Sequence, residues 1–332
     1  MYKMLLLALA SATALVPMAT SAAELRVATQ NLPPFLDPGK DFGNNGSQIY
    51  YNAFDPLIEK DYSKPEATFK PGLATAWKQN SPTEFDVTIR TDVKFQNGDP
   101  MTIEDVVFSF ERILQDMTPE YAGIHKQFFA NFIKVEALDD KTVRFTTEKP
   151  EPLFETLLNT SEGSIVPKKY IMGLSGDPDA IEVSDFDAFG LAPIGTGPYQ
   201  ITNFQPGETL TYKKFDGFFG EKAPFDQVVL RRIPELATRT TALANGEVDL
   251  ITNVPPDQIE AIEGNPSLKV EGAVTPLFHV VIFNTRNPLM ADKRLRQALG
   301  LAIDRNLLNE ALWLGKAVVP SSHTYPQYGQ LY

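Results

Sequence analysis

The sequence predicts an α/β protein, and three stretches with different periods carry the prediction. From Val228 onward strands and helices alternate: Val228 to Ile233, a helix ending at Asn245-Gly246, Val248 to Ile251, a helix from Pro255 to Ile262, and Leu268 to Val270. A β-α-β-α-β order demands parallel strands joined by right-handed crossovers. Such sheets bind ligands in the crevice at their strand C-termini. Upstream, Glu84 to Arg90 alternates apolar with polar residues, the pattern of a half-buried strand. Soon after it, Ile103, Val106, Val107, Phe110, Ile113 and Leu114 recur at spacings of three and four, which is one face of an amphipathic helix.

In chain order, the first residues, MYKMLLLALASATALVPMATSAAELRV, combine one Lys, an apolar run from Met4 to Val16 and a small-residue end at Ser21-Ala22-Ala23. The run is too short to span a bilayer and reads as a secretory leader cleaved before Glu24. The mature chain is then expected free in an exported compartment. The 332 residues contain no Cys, which excludes thiol nucleophiles, Cys-ligated zinc, iron–sulfur clusters and lipid attachment through an N-terminal Cys. At 43% hydrophobic and 22% charged the composition is that of an ordinary soluble chain, with room for two domains or one elaborate one. The formal net charge of −12, or −13 once the leader's Lys is gone, argues against nucleic acid or anionic lipid as partner.

After the strand at Glu84, a short strand from Val93 to Phe95 runs into Asn97-Gly98, a pair suited to positive φ and so to a turn. The helix that follows opens with Thr102 and Asp105, a T-x-x-[DE] capping box. Glu104 and Asp105 also complement the positive end of the helix dipole. No second acid or His stands nearby, so these acids are scaffold rather than catalytic groups. Ile194-Gly195-Thr196-Gly197-Pro198-Tyr199 begins like a dinucleotide fingerprint but continues as an alternating strand, which makes it a backbone turn. Gln205-Pro206-Gly207-Glu208 closes a hairpin. The three His, at 125, 279 and 323, have no metal-ligand spacing, and Gly173-Leu174-Ser175-Gly176 lacks the second Gly of a nucleophile elbow. The residues nominate no catalytic group, no metal ligand and no cofactor.

Five motifs, "PGLATAW", "FDVTIRTDVKFQNGDPMTIEDVVFSFERI", "IGTGPYQITNF", "NGEVDLI" and "FNTRNPLMADKRLRQALGLAIDR", occur in the order and approximate spacing of the family 5 extracytoplasmic solute-binding proteins. These are the dipeptide, oligopeptide and nickel binders of ABC importers. The chain resembles them from about Leu25 to its end. The resemblance implies a periplasmic-binding-protein type II fold: a leader over 1–23, a first lobe formed by 24–48 and 169–271, an α+β subdomain inserted over 49–168, and the start of a second, truncated lobe over 272–332. There Asp304-Arg305 opens a helix with Leu307, Leu308, Ala311 and Leu312 on one face.

The implied function is a monomeric periplasmic protein that captures a peptide or other small solute between two lobes and hands it to an inner-membrane permease. A nickel complex or another non-peptide solute is the alternative, and a secreted hydrolase a more distant one. By resemblance, the segment after Leu36-Asp37-Pro38 offers backbone groups to an extended ligand, which nominates Phe42, Gly43 and Asn44. The loop after "GEVDLI" nominates Thr252 and Asn253, and the crossing into the second lobe nominates Thr275, Phe278 and His279. Asp37 and Pro38 themselves are expected to form the turn rather than to touch solute.

Overall fold

Alternation in the sequence decides the sheets, and helical periodicity decides what covers them. The computed structural model describes residues 23–40, 44–61, 63, 68–115, 124–174, 182–272 and 279–319. The leader before Ala23, together with Phe42, Gly43, Thr275 and Phe278, lies outside the described residues. In chain order the elements are β1 (Glu24–Thr29), α1 (Asn44–Ala53), β2 (Ile58–Lys60), β3 (Phe69–Pro71), β4 (Ala74–Ser81), β5 (Glu84–Ile89), α2 (Ile103–Leu114), β6 (Phe132–Ala137) and β7 (Thr142–Thr147). Then follow α3 (Phe154–Leu158), α4 (Lys168–Met172), α5 (Val183–Leu191), β8 (Tyr199–Gln205), β9 (Thr209–Lys214), β10 (Gln227–Arg232), α6 (Leu236–Ala244) and β11 (Leu250–Ile251). The last four are α7 (Ile259–Glu263), α8 (Pro288–Ala291), α9 (Lys293–Ala302) and α10 (Arg305–Trp313).

One sheet is antiparallel, in the order β4-β5-β7-β6. Phe85, Val87 and Ile89 of β5 all point inward, as the alternation requires, and meet Ile103, Val106, Phe110 and Ile113 of α2. Phe85 stacks on Phe154 at 3.9 Å between ring centroids, and Phe145 meets Phe110 edge to face at 4.9 Å. Each buried Phe of this cluster contributes about 1.5–3 kcal/mol. The start of α2 is held as its sequence predicts: the Asp105 carboxylate accepts from the Thr102 N–H at 2.8 Å and from the Thr102 hydroxyl at 2.9 Å. It also accepts from the Lys168 N–H at 2.9 Å, so the cap ties α2 to α4. The expected strand from Val93 to Phe95 does not form. Both residues are buried, but Lys94 makes only an isolated bridge to Pro100, because the turn at Gly98 (φ 93°) returns the chain after too few residues for a ladder.

The second sheet runs β11-β1-β10-β9-β8. β1 is its central parallel strand, with Val27 opposite Leu230 of β10 on one side and Leu250 of β11 on the other. β8 and β9 form the expected hairpin, closed by Gly207 at φ 69°. The "NGEVDLI" motif has two local tasks. Gly246, at φ 71°, ends α6 in the left-handed conformation. Asp249 receives the Arg26 guanidinium through two hydrogen bonds, at 2.7 and 3.0 Å, and so pins β11 to β1.

Two expectations about this region are corrected. Leu268 to Val270 forms no strand, and the helix from Pro255 to Ile262 is a 3₁₀ turn, Pro256–Gln258, followed by the short α7. β11 is the sheet edge and only two residues long, which leaves little ladder for a further strand. The alternation of elements is therefore β10-α6-β11, with β1 between the two strands.

β2 and β3 form a third, two-stranded sheet, and the four-stranded and five-stranded sheets meet at a joint that explains the "FQNGDP" and "IGTGPY" motifs together. The Gln96 amide nitrogen donates to the carbonyls of Ala53, Gly197 and Tyr199 at 2.8, 3.1 and 2.8 Å, while its oxygen accepts from the Gly195 N–H at 3.0 Å. A Cβ on Gly195 would stand 2.1 Å from the Ala53 carbonyl oxygen, and one on Gly197 2.6 Å from the Ala53 carbonyl carbon, so only glycine fits at either position. Buried Asp55 accepts from the Thr196 hydroxyl at 2.7 Å in the same joint. Beyond the sheets, α8, α9 and α10 are capped by Asn287, Asp292 and Asp304. α10 lies against the Pro256–Gln258 turn.

Candidate ligand-binding site

The strand order places a crevice. After β10 the chain leaves through α6 and returns on the other side of β1, so the connections at the C-terminal ends of β1 and β10 diverge, which is where open α/β sheets bind ligands. The rim is built from the residues after the strands. Thr252 donates its N–H to the Ala28 carbonyl at 3.1 Å and its hydroxyl to that of Thr29 at 3.1 Å. The Thr29 hydroxyl in turn reaches the Asn31 carbonyl at 3.3 Å. Next to this pinned pair, exposed Asn253 adopts φ 59°, a left-handed conformation that Asn tolerates better than other side-chain-bearing residues. Conformations of this kind cost of order 1–3 kcal/mol and cluster at functional sites. On the β10 side, the buried guanidinium of Arg239 donates to the carbonyls of Ile233 and Pro234, both at 2.7 Å, and fixes the β10–α6 loop.

The connection from β1 toward α1 is described as far as Lys40. Asp37, Pro38 and Gly39 are buried and turn back on themselves, as anticipated: the Asp37 carboxylate accepts from the Gly39 N–H at 2.8 Å, and its carbonyl from the Lys40 N–H at 3.0 Å. Leu36 donates its N–H to the Gly190 carbonyl at 2.7 Å. The other Asp37 contacts are a two-pronged ion pair with Arg112 of α2, at 2.8 and 3.1 Å, with both side chains fully buried.

Of the nominated residues, Thr252 and Asn253 stand together at the strand ends, and Asn44 is the first residue of α1. His279 lies elsewhere, exposed, its ring 5.0 Å from that of Trp313 on α10. Among the described residues no hydrogen bond or ring contact joins it to Thr252 or Asn253. Sequence reasoning passed over Thr29, Arg112 and Arg239. Arg112 left a trace: Asp105, Ser109 and Arg112 follow one another at spacings of four and three inside the otherwise apolar face of α2, and all three are buried. The groups gathered at the rim are hydroxyls, an amide and peptide groups, whose chemistry is hydrogen bonding. A groove of about 690 Å³ between α2 and β6, lined among others by Val107, Glu111, Leu114 and Ile133, lies on the antiparallel sheet and not at these strand ends.

The family model for bacterial extracellular solute-binding proteins, family 5, matches residues 68–332. Among curated proteins, the chain is 29% identical over 279 residues to a probable D,D-dipeptide-binding periplasmic protein of Escherichia coli, covering 82% of this chain and 51% of that protein. It is 25% identical over 300 residues to heme-binding protein A of Haemophilus influenzae, covering 85% and 52%. The chain thus spans about half the length of the curated relatives it matches. Among solved structures, the oligopeptide-binding protein AppA of Bacillus subtilis, in complex with a nonapeptide, superposes with a TM-score of 0.77 at 23% identity, over 92% of this chain and 58% of that one. NikZ of Campylobacter jejuni, in complex with Ni(L-His), gives 0.76 at 23%, over 90% and 57%. These likenesses establish the periplasmic-binding-protein type II fold, and the match over residues 68–332 shows that the chain belongs to the family 5 bacterial extracellular solute-binding proteins.

Proposed function

We propose that the chain captures peptide-like solutes in the periplasm for delivery to an inner-membrane ABC permease, and that it works as a monomer without enzymatic activity. The observation that carries this reading is the rim at the C-terminal ends of β1, β10 and β11, where the hydrogen-bonded hydroxyls of Thr29 and Thr252 stand beside the exposed, left-handed Asn253. Pairing of such groups with an extended ligand gives affinity with little side-chain selectivity. In this reading 24–48 and 169–271 form the first lobe, 49–168 an inserted subdomain and 272–332 part of a second lobe. Phe42, Gly43, Asn44, Thr252 and Asn253 contact the solute from the first lobe, and Thr275, Phe278 and His279 from the crossing. The leader is removed before Glu24.

A non-peptide solute is the second reading, supported by the similarity to heme-binding protein A and to a structure holding Ni(L-His). Incubation of the purified chain with a mixture of di- to nonapeptides, and separately with nickel plus histidine, followed by native mass spectrometry, decides between them. Retention of intact peptide supports the first reading. Retention of nickel–histidine alone supports the second, and new peptide fragments would overturn both in favour of a hydrolase.

A further inference from the structure

The fully buried pair of Asp37 and Arg112 has no part in the rim itself, yet it holds the connection that the proposed function sets against the solute. Burying two charges costs several kcal/mol per ion before their attraction is counted, and well-packed apolar replacements are often neutral or stabilising. A fold therefore has little to gain in stability from such a pair. The placement suggests a different gain. Arg112 is on α2, whose apolar face packs on the antiparallel sheet, while Asp37 is on the β1–α1 connection of the mixed, five-stranded sheet. The fork-shaped guanidinium meets both carboxylate oxygens, which fixes orientation as well as distance.

The same connection is gripped at three further points. The Leu36 N–H is bonded to the Gly190 carbonyl, the Pro33 carbonyl accepts from the Gly207 N–H at 3.2 Å, and Lys40 is paired with Asp187 of α5. Of these, the Arg112 fork is the one that comes from α2. We infer that Arg112 is a positioning residue: through Asp37 it sets the placement of Gly39 and Lys40, and thereby the wall that the β1–α1 connection offers to the solute. The inference rests on the reading that this connection faces the solute, and its test has one arm that does not.

The test uses the full chain with Asp37→Asn and Arg112→Met combined, which removes both charges while leaving an oxygen at position 37 for the Gly39 N–H, and with Arg112→Lys alone, which keeps the charge but loses the fork. In amide hydrogen exchange, Gly39 and Lys40 should exchange faster by about tenfold or more in the double variant while Val27 and Ala28 of β1 keep their protection. The melting temperature should stay within a few degrees of the unmodified chain. Affinity for a peptide that the unmodified chain retains should fall on the order of tenfold, because the wall is no longer pre-organised. Unchanged exchange at Gly39 and Lys40 in a folded variant overturns the positioning role, as does unchanged affinity alongside faster exchange. If the double variant does not fold, Arg112→Lys decides by the same two readouts. If the unmodified chain retains no peptide, the functional reading fails by itself, and the exchange arm still decides what Arg112 does.

Discussion

Burial holds the Asp55 carboxyl at about 7 instead of its ordinary 3.8, Glu59 adds to the rise, and the Thr196 hydrogen bond and Arg90 oppose it. A folded value above the unfolded one means that between about 4 and 7 the native state carries a proton the unfolded state has lost. Stability therefore falls as pH rises through that window and levels off above it. Thermal melts from pH 4.5 to 8 should show this decline, and Asp55→Asn, which mimics the protonated form, should flatten it; an equal slope in both proteins would contradict the assignment. Asn253 gives a second prediction at the same scale. Replacing it with Val, which resists the left-handed conformation, should cost about 1–2 kcal/mol in denaturant unfolding, while Gly should cost little. If the Asn253 side chain contacts solute, both variants lose affinity; if only its backbone conformation matters, Gly retains it.

The elements that were legible in sequence are those whose signal is local. β5 announces itself by alternation, and α2 by its apolar spacing and its Thr102/Asp105 cap, because in both cases the buried face is decided by a neighbour lying across the whole length of the element. What failed was pairing. Val93 to Phe95 and Leu268 to Val270 have the residues of strands, but a strand needs an edge to pair with, and that is set by the tertiary arrangement. The same limit hid part of the candidate site. Thr252 and Asn253 could be nominated through their motif, whereas Thr29 and Arg239 become visible only when β1 is seen between β10 and β11. Two substitutions separate scaffold from site at this scale. Thr102→Ala should lose about 1 kcal/mol and leave solute affinity unchanged, since the cap ties α2 only to itself and α4. Gly195→Ala should lose about 3 kcal/mol, because its methyl group would enter the space of the Ala53 carbonyl and force the joint apart. Urea melts with parallel titrations distinguish these outcomes, and a large affinity loss in Thr102→Ala would make the cap part of the site.

At the scale of the molecule, the two sheets bury their aromatic and aliphatic faces, while the segment that follows them does not. Ile282 is 86% exposed, Leu301 87%, Leu307 60% and Leu312 55%, on the irregular stretch before α8 and on α9 and α10, whose N-termini are nevertheless properly capped. Capping makes helices, and only packing makes them cover something. Soluble proteins seldom leave this much clustered apolar surface to water without an interaction to serve. In a two-lobed binder, solute drives closure only through its differential affinity for the closed state, which requires contacts from both lobes. The 332-residue chain should therefore bind a hydrophobic dye such as ANS with a marked rise in fluorescence and show concentration-dependent association in light scattering. Leu301→Lys, Leu307→Lys and Leu312→Lys together should abolish most of both effects while leaving the melting transition of the sheets in place, since none of the three is buried. Dye binding that survives the triple variant would locate the exposed apolar surface elsewhere, with the groove between α2 and β6 the next place to probe by Ile133→Lys.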